Sequence, residues 1–113
     1  MFLIVAKYLI PNGYRGMAVF PFILMKYDFD KVNKTFLNHE KIHLRQQLEM
    51  LVLPFFVCYF LEYLVRLIQY KNGALAYRNI SFEREAYSNE TNYDYLKNRS
   101  LFQSWNYLTL KQK

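Results

Sequence analysis

Lys34-Thr35-Phe36-Leu37-Asn38-His39-Glu40-Lys41-Ile42-His43-Leu44-Arg45-Gln46-Gln47-Leu48-Glu49-Met50-Leu51-Val52-Leu53-Pro54 is the stretch on which the reading of this chain turns. It holds no glycine, and its first proline is the last residue quoted, so a long helix is predicted over residues 34–53. The two histidines of the chain, His39 and His43, stand four apart in it with Glu40 between them. Positions i and i+4 lie one above the other on a helix face. Two imidazoles placed there can hold one zinc ion, each at about 2.0–2.1 Å. Glu40 then falls beside any water on the open coordination position, where a carboxylate acts as general base.

Outward from this helix, the chain supports one domain, residues 1–113. Eleven tyrosines and ten phenylalanines supply a large apolar interior whose hydroxyls need partners. Residues 2–10 are rich in β-branched and aromatic side chains and end at Pro11-Asn12-Gly13, a turn signal. Residues 17–26 form a second strand candidate, and Pro21 inside it demands an edge or a bulge. Asp30, Asn33 or Thr35 can cap the histidine helix. Pro54 either kinks that helix or opens a second one running to about Tyr70, closed by Lys71-Asn72-Gly73. Residues 74–80 connect to a third helix capped by Ser81, with Glu83 and Glu85 in its first turn and an end near Asn92. Residues 93–110 are helix-compatible and aromatic, and the chain closes on Lys111-Gln112-Lys113. The expectation is an α+β fold, mostly α, with a small N-terminal β-hairpin ahead of three to four helices.

The formal charge of +6 is spread along the chain without a polybasic block, so no nucleic-acid partner is expected. Residues 50–61 are an apolar run, and residues 52–68 (Val52 through Ile68) carry only Glu62 and Arg66 as charges. Glu62 and Arg66 are spaced to pair at i, i+4, which favours a buried helix over a spanning one. Association of this segment with a membrane surface stays open. Cys58, the lone cysteine, reads as a buried inert thiol in that run. The N-terminus lacks a basic region ahead of its short apolar run, so secretion is not expected. The chain reads as cytoplasmic, or peripheral to or inserted in the inner membrane.

A catalytic zinc site takes three protein ligands, and with no third histidine a carboxylate must supply one bond. Glu49, Glu62, Glu83, Glu85, Glu90 and Asp94 all follow the histidines. Glu49 is rotated away from the histidine face, and Glu62 has Arg66 to pair with. Glu83-Arg84-Glu85-Ala86-Tyr87 begins forty residues after His43.

The pair of segments in this order, over residues 35–92, resembles the gluzincin metallopeptidases, whose second helix donates a glutamate to zinc through a pattern close to Glu-x-x-Ala-Asp. It is most similar to their minimal members, with a short sheet, a histidine helix and a glutamate helix. Leu37-Asn38 and Arg45-Gln46-Gln47-Leu48-Glu49 also resemble an uncharacterised bacterial group of peptidase-like proteins of this size. The resemblance implies a Zn2+ cofactor held by His39, His43 and Glu83, Glu40 as general base, Ala86 as the small residue of the second segment, and a peptide or protein substrate. Glu85 is the alternative third ligand. Tyr87 stands where the family has an aspartate that orients one histidine, a departure that removes an acid fixing the ligand's tautomer. Tyr87, Tyr93, Tyr95, Arg78 and Arg84 are the candidates for oxyanion stabilisation or for support of the ligands. The family's edge strand, which pairs with extended substrate, corresponds by position to residues 17–25. A zinc-binding or peptide-binding domain without catalysis, and a membrane-associated protein, are the alternative readings.

Overall fold

In the computed structural model, which describes residues 2–10 and 14–108, three short strands precede the helices. They are β1 (Phe2–Val5), β2 (Gly16–Val19) and β3 (Phe22–Met25), in the order β1-β3-β2. β2 runs antiparallel to β3 with Ala18 opposite Ile23, whereas β1 runs parallel to β3 with Leu3 opposite Ile23. The expected hairpin of two strands is therefore corrected to a three-stranded mixed sheet. Residues 17–26 divide into two strands because Pro21, which has no N–H for a ladder, falls in the connection between them. The first segment stops being a strand at Val5 and continues as a 3-10 turn, Lys7–Leu9. The predicted turn at Pro11-Asn12-Gly13 and the basic end Lys111-Gln112-Lys113 lie outside the described residues.

Helix α1 spans Lys34–Met50, and the Asn33 side chain caps it by accepting from Phe36 N at 3.0 Å. It crosses the sheet over β2 and β3, where Ala18, Ile23, Met25 and Leu44 form one buried cluster flanked by Phe36 and Leu37. Gln47 ties α1 to the strand edge, accepting from Phe20 N and donating to Ala18 O, both at 2.7 Å. Gly16 permits this closeness: a Cβ there would stand 2.5 Å from Phe36 Cζ and 2.6 Å from Leu24 O.

The long helix ends at Met50, because Leu51 adopts φ 58° and turns the chain. Helix α2, Val52–Tyr70, starts immediately with Pro54 in its first turn, where the missing N–H has no intrahelical partner to lose. Lys71 in the left-handed region closes it, and Asn72 caps helix α3 (Gly73–Arg78), which replaces the connection expected over residues 74–80. Helix α4 covers Ser81–Asn89, ending three residues short of the predicted Asn92. Ile80, not Ser81, is its N-cap residue; Ser81 N and Oγ both donate to Glu62 of α2, each at 2.6 Å. A carboxylate from one helix thus caps another and meets the positive end of its dipole. Among the described residues the tail forms a single turn, α5 (Tyr95–Asn98), and a 3-10 segment, Gln103–Tyr107.

Helix α2 departs from the expected buried helix. Of its nineteen residues only Phe55 and Arg66 are buried. Its inner side packs Phe55, Phe56, Tyr59 and Tyr63 against Ile80 and Phe82, while Leu53, Val57, Leu61 and Ile68 are exposed. Cys58, expected to be buried, is exposed as well, because it lies towards the outer side of the helix.

Candidate metal centre

The buried face of α1 presents His39, Glu40, His43, Gln46 and Gln47 in place of the apolar residues of an ordinary core helix. Opposite it, the first turn of α4 carries Glu83 inward, where the positive end of the helix stabilises a carboxylate. Glu83 Oε1 lies 3.2 Å from His39 Nε2 and 3.1 Å from His43 Nε2. One ligand atom from each of the three residues falls within 4.8 Å of the others, so this group can hold a metal ion.

The outer nitrogen of each imidazole is committed elsewhere. His39 Nδ1 is 2.9 Å from Glu90 Oε2, and His43 Nδ1 is 2.8 Å from Gln46 Oε1. The Gln46 amide orientation is fixed in turn, since its Nε2 donates to Phe82 O at 3.1 Å and Glu85 Oε1 at 2.9 Å. With each ring donating from Nδ1 to these acceptors, Nε2 of both imidazoles faces Glu83 and is available to a metal. His43 Nε2 is buried with no hydrogen-bond partner among the described residues. A lone pair buried against a carboxylate oxygen calls for a cation between them, either a proton or a metal. Two imidazoles and one carboxylate are a donor set that a divalent metal ion accepts.

The electrostatics agree. Burial by itself would lower the His43 pKa, but the charge of Glu83, 3.1 Å away, overcomes it and raises the group to about 9. Burial would raise Glu83, yet the facing His43 and His39 hold it well below the usual carboxylate range. Glu40 goes the other way: burial lifts its carboxyl above the ordinary value, with the two histidines only partly opposing. Its affinity for a proton is thereby raised above that of an exposed carboxylate.

Two cavities meet at this point. One, of about 690 Å³, reaches His39, Tyr87, Glu90 and Arg78. The other, of about 580 Å³, runs between β2 and α2 to His43 and Glu83. Glu40 and Tyr77 line both. The Tyr59 hydroxyl, from α2, donates to Glu83 Oε2 at 2.6 Å and holds the carboxylate's second oxygen away from the histidines.

Of the sequence candidates, His39, Glu40, His43 and Glu83 come together. Glu85 does not: fully buried, it accepts from Tyr95 Oη at 2.6 Å and from Arg99 Nε and Nη2, besides Gln46. Arg84 is turned away, donating to Tyr107 O, Leu108 O and Asn79 Oδ1, so it supports the tail rather than the site. Tyr93 is half-exposed and bonds Thr35 Oγ1 at 2.9 Å, away from the ligands. Tyr95 is spent on Glu85. Tyr87 packs its ring edge-on against His39 at 4.5 Å, under the Arg78 guanidinium at 3.7 Å. The carboxylate that orients His39 is Glu90. It lies on the face of Glu83 and Tyr87 at spacings of seven and three, a periodicity that the sequence carries. Gln46 follows His43 by three and Tyr59 sits on another helix, so only the first of these two left a local signal.

No family model, curated protein or solved structure matches the chain.

Proposed function

We propose that this chain is a small zinc-dependent metallopeptidase of gluzincin type, with His39, His43 and Glu83 as metal ligands and Glu40 as general base. The observation that carries the reading is His43 Nε2, buried without a hydrogen-bond partner among the described residues and facing Glu83 Oε1 at 3.1 Å. Held by His39, His43 and Glu83, a zinc ion would supply Lewis acidity and a water of lowered pKa. Glu40, raised in pKa by burial, takes a proton from water where the two cavities join and returns it to the leaving amine.

Tyr77 is the donor best suited to a developing oxyanion. Burial and the nearby charge of Glu83 raise its pKa, so the phenol keeps its proton, and it lines both cavities beside Glu40. Strand β2 lies on the sheet edge along the second cavity. Gln47 already bonds Ala18 O and Phe20 N, which leaves the Gly16 end of the strand to pair with an extended peptide. Glu90 supplies to His39 the carboxylate that Tyr87 does not.

The test is metal analysis followed by turnover of a quenched fluorescent peptide library. Stoichiometric zinc that is lost in His43→Ala, and cleavage that disappears in Glu40→Gln while zinc stays bound, are expected. Zinc binding without cleavage in the native chain would reduce the reading to a non-catalytic metal domain, and absence of zinc would end it.

A further inference from the structure

Helix α2 has its polarity turned the wrong way for a water-soluble surface helix. Its two charged residues face the protein: Glu62 caps α4 through Ser81, and Arg66 donates to Leu108 O at 2.7 Å and pairs with Glu62 at 3.2 Å. The outward positions are apolar, with Leu53 at 75%, Val57 at 53%, Phe60 at 59%, Leu61 at 56%, Val65 at 52% and Ile68 at 77% exposure. At 100° per residue these positions fall within a sector of roughly 140°. From Leu53 to Ile68 the stripe is about 23 Å long. It carries no charge along that length. Its polar members are the Cys58 thiol and Gln69, whose side-chain oxygen is already bonded to Arg66 at 2.9 Å.

We propose that this face of α2 lies in the plane of an anionic lipid bilayer, sunk into the boundary between headgroups and acyl chains. A stripe without hydrogen-bonding groups matches hydrocarbon better than a protein partner, whose interface carries about one hydrogen bond per 100–200 Å². Charge decides between lipid and a second copy of the chain. At +6 each, two chains repel one another, whereas anionic headgroups attract each of them. An in-plane helix also fits the inner side of α2, which stays packed on Ile80 and Phe82 and bonded to α4. The proposal is independent of catalysis. Combined with the peptidase reading, it has a further consequence: Phe60 is both on the lipid-facing stripe and in the wall of the cavity that reaches His43 and Glu83. The substrate would then be an apolar peptide segment at the membrane surface.

The experiment uses the full chain, its single cysteine Cys58 labelled with an environment-sensitive fluorophore, and vesicles of phosphatidylcholine with or without phosphatidylglycerol. Flotation with the phosphatidylglycerol vesicles, a blue shift of the label and its quenching by brominated lipid are expected. Val57→Glu/Leu61→Glu/Ile68→Glu should float roughly tenfold less or worse while taking up zinc as the native chain does. A native chain that stays with the aqueous phase overturns the proposal. So does a triple variant that floats unchanged, or a vesicle-free dimer whose label is already blue-shifted. Should the variant fail to fold, brominated-lipid quenching of the labelled native chain decides: quenched supports, unquenched overturns. Glu40→Gln should float normally, so loss of the catalytic reading leaves this one standing.

Discussion

Glu90 Oε2 sits 2.9 Å from His39 Nδ1, on the side of the ring opposite Glu83. Tyr87 packs its ring on the same imidazole at 4.5 Å. One helical turn further on, Glu90 reaches past that ring to the nitrogen. Tyr87 and Glu90 therefore divide the support of His39 between them: one confines the imidazole, the other accepts at its Nδ1.

From that division, Glu90→Gln should weaken zinc binding about 10- to 100-fold, the usual cost of losing a carboxylate behind a ligating histidine. Tyr87→Phe keeps the ring contact and should cost much less. Competition with a chromophoric chelator reads both. Equal effects from the two variants would show that Glu90 does not orient His39.

Protons should compete with the metal at His43. In the metal-free protein His43 titrates at about 9, because Glu83 outweighs the burial that would lower it. At pH 7 the metal must displace a proton, so zinc binding should release about one proton and strengthen as pH rises towards 9. Calorimetry in buffers of different ionisation enthalpy counts that proton. The same shift acts on stability. A histidine whose folded pKa lies above its unfolded value of 6.5 stabilises the metal-free fold fully below 6.5 and loses that contribution as pH rises to about 9. The melting temperature of the chelated protein should fall across that window by on the order of 5 °C or more.

Glu85 and Glu83 should behave differently although only two residues separate them. Glu85 and Glu49 share Arg99, a guanidinium whose side chain is fully buried. Glu85→Ala leaves that charge short of a partner and should cost about 3–5 kcal/mol of stability. Glu83→Ala should abolish metal binding while the metal-free chain still folds cooperatively. Thermal melts with and without zinc separate the two outcomes.

Gly16→Ala should destabilise the sheet–helix contact by roughly 1–3 kcal/mol. The added methyl would meet Phe36 Cζ at 2.5 Å and Leu24 O at 2.6 Å. Phe36→Leu in the same chain can relieve the first clash but not the second, which is backbone. Denaturant melts should accordingly show only partial recovery in the double variant.

Local spacing made one half of the site readable. His39 and His43 share a face because they are four apart on one helix, and Glu83 lies in the first turn of another whatever the two helices do. The stretch free of glycine and proline likewise gave α1, and Pro54 marked the start of α2. Where the sequence reading failed, the missing information was non-local. β1 pairs in parallel with β3, a register that no short turn signals. The 50–61 run looked like a core because hydropathy counts apolar side chains without saying which way they face. Packing turned Glu62 and Arg66 inward to cap α4 and bind the tail, and left the apolar side of α2 uncovered.

The sequence by itself determined which residues are able to bind a metal. The tertiary structure decided which of two neighbouring glutamates faces the histidines, and which groups stand behind them. Glu83 and Glu85 differ by 200° around the same helix, so only the docking of α4 on α1 could send the first to His39 and His43 and the second to Arg99.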